Sequence, residues 1–165
     1  MDEGIIDGNW EGKGKTELRD HLRCQPDGEK VWMKLQGLVY GKYMHGAEMM
    51  PGIANFLLSG KVRDYKFFIV SHKTEYGHYD LEKISLRDEA LKWMQAKHFF
   101  DPEYFGLQKE DVFFAETRAE KVKIIDYLKC DWFIDDLPEV FAEAVHAEVR
   151  KQVLFPEPAI HPTAL

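Results

Sequence analysis

The residues best placed to do chemistry are two adjacent carboxylates, Asp135 and Asp136, within the stretch Cys130–Phe141, Cys-Asp-Trp-Phe-Ile-Asp-Asp-Leu-Pro-Glu-Val-Phe. Carboxylates side by side repel unless a cation or a proton neutralises them. A hard cation such as Mg²⁺, which takes oxygen ligands, is one solution. The other is structural: one Asp caps a helix while its neighbour is solvated. The flanking residues locate the pair. Trp132, Phe133 and Ile134 predict a short buried strand. Pro138 suits a first helical turn, and Val140, Phe141, Ala144 and Val145 give that helix an apolar face. The acids therefore fall where a strand turns into a helix, the edge at which open α/β sheets bind ligands.

Other residues with useful chemistry occupy similar places. Ser71 ends the apolar run Phe67, Phe68, Ile69, Val70, and its hydroxyl and backbone N–H suit a phosphate oxygen, although for this residue taken alone a buried structural serine at a strand end is the favoured reading. His72 and Lys73 follow it. Lys121 sits in the first turn of a helix capped by Thr117, where the helix dipole disfavours a cation. An anion nearby would reconcile the two, because ammonium and dipole would then attract it together. A solvated surface lysine is the bland alternative, and Lys123 is a second candidate further into the helix.

The elements that must position these groups are readable from spacing. Residues 1–15 are polar and glycine-rich and read as loop. Thr16 is placed to cap a helix containing Leu18 and Leu22, ended by Gln25-Pro26-Asp27-Gly28. A second helix runs from about Glu29 with Val31, Trp32, Leu35, Leu38 and Val39 at helical spacing, and Gly41 stops it. Pro51-Gly52 marks a turn before a short helix of Ile53, Phe56 and Leu57 that Gly60 closes. The Ser71 strand follows. Ser85 with Asp88 opens a helix carrying Leu86, Ala90, Leu91 and Met94. Val112–Phe114 reads as a strand, Thr117 with Glu120 opens the next helix, and the Asp135 strand comes after it. Val153–Phe155 reads as a last edge strand. Strand and helix alternate three times, which predicts a parallel sheet covered by helices.

Bulk properties narrow the function classes. A chain of 165 residues fits one domain with a core of its own. A net charge of −7 argues against nucleic acid or an anionic membrane surface as the partner. Cys24 and Cys130 are too few for a disulfide framework and fit reduced thiols in a cytoplasmic protein. No apolar run approaches membrane-spanning length, and the acidic start does not resemble a signal peptide.

Taken in order, an apolar strand ending in Ser71, a lysine at a helix start (Lys121) and an apolar strand ending in Asp135-Asp136 resemble the second, third and fourth motifs of the haloacid dehalogenase-like (HAD) superfamily of hydrolases. Pro51-Gly52, one short helix before Ser71, also looks like that family. The likeness covers roughly Met50 to Phe141, and the phrases Ile-Val-Ser-His-Lys-Thr and Phe-Ile-Asp-Asp-Leu-Pro-Glu resemble its phosphatase-like members. The resemblance implies a Rossmann-like three-layer sandwich with a mostly parallel sheet, in which residues 1–49 form a helical cap-like segment and 50–165 the α/β core. It implies a Mg²⁺-dependent phosphatase acting on a small phosphorylated molecule through an aspartyl-phosphate. Asp135 and Asp136 would be the metal-side acids, Lys121 would neutralise phosphate and nucleophile, Ser71 would hold a phosphoryl oxygen, and His72 and Lys73 would line the substrate lip. The logic is charge neutralisation of an in-line transfer.

The family's first motif, a hydrophobic strand ending in the nucleophilic Asp-x-Asp, has no counterpart. Ile5-Ile6-Asp7-Gly8-Asn9 comes nearest, but two apolar residues make a poor central strand and Asn9 stands where the second acid belongs. The expectation is a chain that begins after that strand or has lost it, leaving an apolar slot for a partner chain or a second copy to fill. The alternative function is a non-catalytic module that binds a phosphorylated ligand or a protein. A third reading, a transition-metal site at His72, Glu75 and His78, has only loop spacing behind it. Trp32 and Trp93 lie on helical stripes and read as core.

Overall fold

The computed structural model describes residues 14–144 and 149–155. Expectations for Asp7, Val145 and the rest of the N-terminal stretch up to residue 13 lie outside them. The chain is mixed α/β with short parallel strand pairs. Helix α1 (Lys15–Arg23) packs against α2 (Gly28–Tyr40), and α3 (Ile53–Val62) leads into strand β1 (Ile69–His72). Then follow α4 (Leu86–Ala96), β2 (Val112–Ala115), α5 (Arg118–Leu128), β3 (Trp132–Asp135), α6 (Pro138–Glu143) and β4 (Lys151–Leu154). The strands do not form the single expected sheet. β1 pairs with β2 in register Ile69 to Val112, and β3 pairs separately with β4 in register Trp132 to Lys151. Among the described residues no strand pairs with the second edge of β1 or of β3.

Two apolar clusters cover the first strand pair on opposite faces. Ile69 and Val112 pack with Leu57, Met94, Phe99, Phe105 and Leu107, contributed by α3, α4 and the loop after it. Val70, one residue on and pointing the other way, packs with Ile125 of α5, Phe133 of β3 and Val140 of α6. α5 is thus the element through which the two strand pairs share a core. The β3–β4 pair is less enclosed than its apolar run predicts. Phe133 is buried, while Trp132 is 56% and Ile134 42% exposed on the other face. Alternation splits the run between a covered and an open side, and Lys151 lies over the Trp132 ring at 4.5 Å.

Several local expectations hold at the level of single atoms. The Ser85 hydroxyl accepts from the Asp88 N–H at 3.1 Å, and Thr117 with Glu120 forms a complete capping box on α5. Two differ. Gly14, not Thr16, precedes α1, so Thr16 lies within the helix. Gly60 does not close α3, which runs on to Val62. Its missing side chain has a packing role: a Cβ there would lie 2.2 Å from Cζ of Phe67.

Candidate functional site

The Thr117 capping box fixes where α5 begins and therefore where Lys121 projects. From that first turn Lys121 reaches Asp135 at the end of β3, with Nζ 2.5 Å from Oδ2. Both are inside the protein, at 7% and 8% exposure. The solvated-lysine alternative is thereby excluded. The second carboxylate oxygen of Asp135, Oδ1, accepts the Leu137 N–H at 3.0 Å and so orders the turn into α6. Asp136 is exposed and has no hydrogen bond or ion pair among the described residues. The structural alternative required one acid to cap α6, but Leu137 occupies the cap and no side chain caps the helix; Asp135 orders only the turn before it, while Asp136 is in water. The buried pairing with Lys121 goes beyond it. A buried ion pair costs several kcal/mol of desolvation per charge and is weak support for stability alone.

Ser71 is not joined to that pair. Its hydroxyl makes no hydrogen bond among the described residues, and the pleat gives it the face of Ile69, opposite the one α5 covers. His72 is exposed, and its Nε2 meets the Glu116 carbonyl at 3.0 Å. Lys73 is tied through its backbone: its N–H donates to the Ala115 carbonyl at 2.8 Å, and its carbonyl accepts from Arg87 Nε at 3.1 Å. Lys123 is exposed on the outer side of α5.

Sequence reasoning missed Arg87. In the first turn of α4, it also bonds Glu116 Oε1 at 3.1 Å and lies 3.5 Å from Glu75 Oε2. It thus clamps the loop after β1 to the end of β2. The signal was available, since a cation at a helix start is the same anomaly that drew attention to Lys121.

The donor set bears on metals. Glu75 is engaged by Ser85 Oγ at 2.7 Å as well as by Arg87, and no three His, Cys, Asp or Glu side chains gather to hold an ion among the described residues. For Mg²⁺, which binds through one or two carboxylates and fills its sphere with water and phosphate oxygens, Asp136 is the free carboxylate and Asp135 the one already shared with Lys121. Both carboxylate oxygens of Asp135 are engaged, by Lys121 and by Leu137, so Asp136 alone of the expected pair is left to ligate a hard cation. Burial, reinforced by Asp131, pushes the Cys130 thiol up and away from a reactive thiolate.

Comparison with family models, curated proteins and solved structures returned no match to this chain. Among the described residues no helix is long and apolar enough to cross a membrane.

Proposed function

We propose that this chain is a haloacid dehalogenase-like phosphohydrolase, acting with Mg²⁺ on a small phosphorylated molecule. The observation that supports it is the buried Lys121–Asp135 pair, which links the start of α5 to the end of β3. A charged pair is costly to bury, and paired titratable groups held inside a protein recur where chemistry is done. In this reading the two strand pairs are halves of one mostly parallel sheet in a three-layer sandwich.

Each residue then has a part. Asp135 holds the Lys121 ammonium at Nζ, so the cation faces an incoming phosphoryl group from a fixed position instead of searching for it. Arg87 keeps the neighbouring lip from swinging. Asp136, open to water, is the ligand for Mg²⁺, which when bound supplies charge neutralisation of the phosphoryl oxygens. Covalent transfer also needs an acceptor carboxylate, and no Asp-x-Asp occurs in the 165 residues.

That last fact favours a second reading, a relative that binds a phosphorylated ligand or a partner protein and turns nothing over. Reading the gene in frame upstream of Met1 separates them. The enzyme reading expects an apolar run ending in Asp-x-Asp. It further expects the longer product to hydrolyse p-nitrophenyl phosphate with Mg²⁺, with Asp135→Ala reducing turnover by about 10²-fold or more. A stop codon directly before Met1, together with saturable phosphate binding and no turnover, establishes the binding module instead.

A further inference from the structure

Beyond the Lys121–Asp135 pair, one other group of cations is gathered at the carboxyl end of β1. Tyr40, the last residue of α2, has two ammoniums close to its ring. Lys73 Nζ stands 4.5 Å from the centre of its ring. Lys15, the first residue of α1, lies 5.7 Å from the same centre and donates to the Tyr40 hydroxyl at 3.2 Å. Neither lysine has an ion pair with a carboxylate among the described residues. Two neighbouring cations with no carboxylate partner among the described residues need a reason.

The partial charges on hand are too weak to be that reason. An aromatic face attracts a cation by about 0.5–1 kcal/mol where solvent reaches it. The end of a helix adds about 0.3–1 kcal/mol, also screened. Both hold an ammonium in place and leave its charge uncancelled. Burial, and the charge of Lys15 beside it, push the Lys73 amine below the usual lysine range, so the folded chain bears a cost for keeping it charged. That cost disappears when an anion arrives.

We propose that Lys15, Tyr40 and Lys73 form an oxyanion subsite between the helical front layer and the carboxyl end of β1, and that it takes the phosphate or carboxylate group of a small ligand. The backbone of Lys73 is anchored to β2 and to Arg87, so the subsite is built on a fixed platform. The Tyr40 hydroxyl adds a polar group, and two ammoniums supply charge-assisted donors to the oxyanion. Combined with the phosphohydrolase reading, on which this step rests, the substrate class is a phosphate ester carrying a second anionic group. The first group lies at Lys121 and the second at Lys15 and Lys73.

The test has two arms, both on the full chain with Mg²⁺ present. The first follows the Lys73 side chain by ¹³C NMR while inorganic phosphate is added. Lys73 is expected to respond saturably and its pKa to rise, because a bound anion favours the charged amine. Lys15→Met, without ligand, should also raise the Lys73 pKa by removing the neighbouring cation, and should weaken the phosphate response. The second arm compares propyl phosphate with propane-1,3-diol bisphosphate by calorimetry. The bisphosphate is expected to bind about tenfold more tightly, the equivalent of one added charge-assisted contact. Lys73→Met should abolish that advantage; both lysines are at or near the surface, so these variants keep the fold. A Lys73 that ignores phosphate, or a bisphosphate advantage that survives Lys73→Met, overturns the subsite while leaving the Lys121 reading intact. A Lys73 that responds while propyl phosphate fails to bind supports the subsite and removes the Lys121 reading.

Discussion

Asp135 serves two partners with its two oxygens, the Lys121 ammonium and the Leu137 N–H. Removing one charge of such a pair leaves the other buried and uncompensated, which costs about 3–5 kcal/mol. Lys121→Met is therefore expected to lower unfolding stability in urea by that amount. Adding Asp135→Asn to it should recover more than about 1 kcal/mol, since the amide oxygen still accepts from Leu137 and no lone charge remains. A double variant no more stable than the single one would mean that the charge pairing is not what holds these side chains. The adjacent acids also show how far residue types reach by themselves. The doublet and its place at a strand end were legible, but which acid faces inward was not. Neighbouring residues of an extended chain point to opposite sides, and only the packing of α5 selects the side that is buried.

At the scale of elements, the placement of Lys121 depends on where α5 starts. Thr117 accepts from the Glu120 N–H at 3.1 Å, and Glu120 Oε2 accepts from the N–H groups of Glu116 and Thr117 at 2.8 and 3.3 Å. Thr117→Ala removes half of that arrangement and is expected to cost about 1 kcal/mol, measured by denaturant titration, while Thr117→Ser retains most of it. Caps of this kind are local in sequence, which explains why both the Ser85 and Thr117 starts could be read without coordinates. Gly60 was misread for the opposite reason. A glycine late in a helix pattern looks like a terminator, whereas its role here is set by Phe67, a residue beyond the end of the helix.

Across the whole molecule, β1 and β3 each have an edge that no strand among the described residues pairs with, and one side of the β3–β4 pair is partly exposed. The two sides of β3 should respond unequally to mutation. Phe133→Ala removes a buried aromatic and is expected to cost about 3–5 kcal/mol. Ile134→Lys, on the side where Ile134 is 42% exposed, is expected to change stability by less than about 1 kcal/mol. Comparable losses at the two positions, read from thermal or urea unfolding, would show that something covers the Ile134 side in solution.

The sequence by itself determined the alternation of strand and helix, the capped starts of α4 and α5, and the acids at the end of β3, because each is written in residues a few positions apart. Tertiary structure alone decided that the strands form two separate pairs, that Lys121 is buried against Asp135, that Ser71 faces away from them, and that Lys15 and Lys73 meet on Tyr40. Those outcomes depend on strand pairing and on contacts between residues 14 to 33 positions apart. Local propensity and periodicity carry no information about such contacts; they are fixed only when helices and strands pack together.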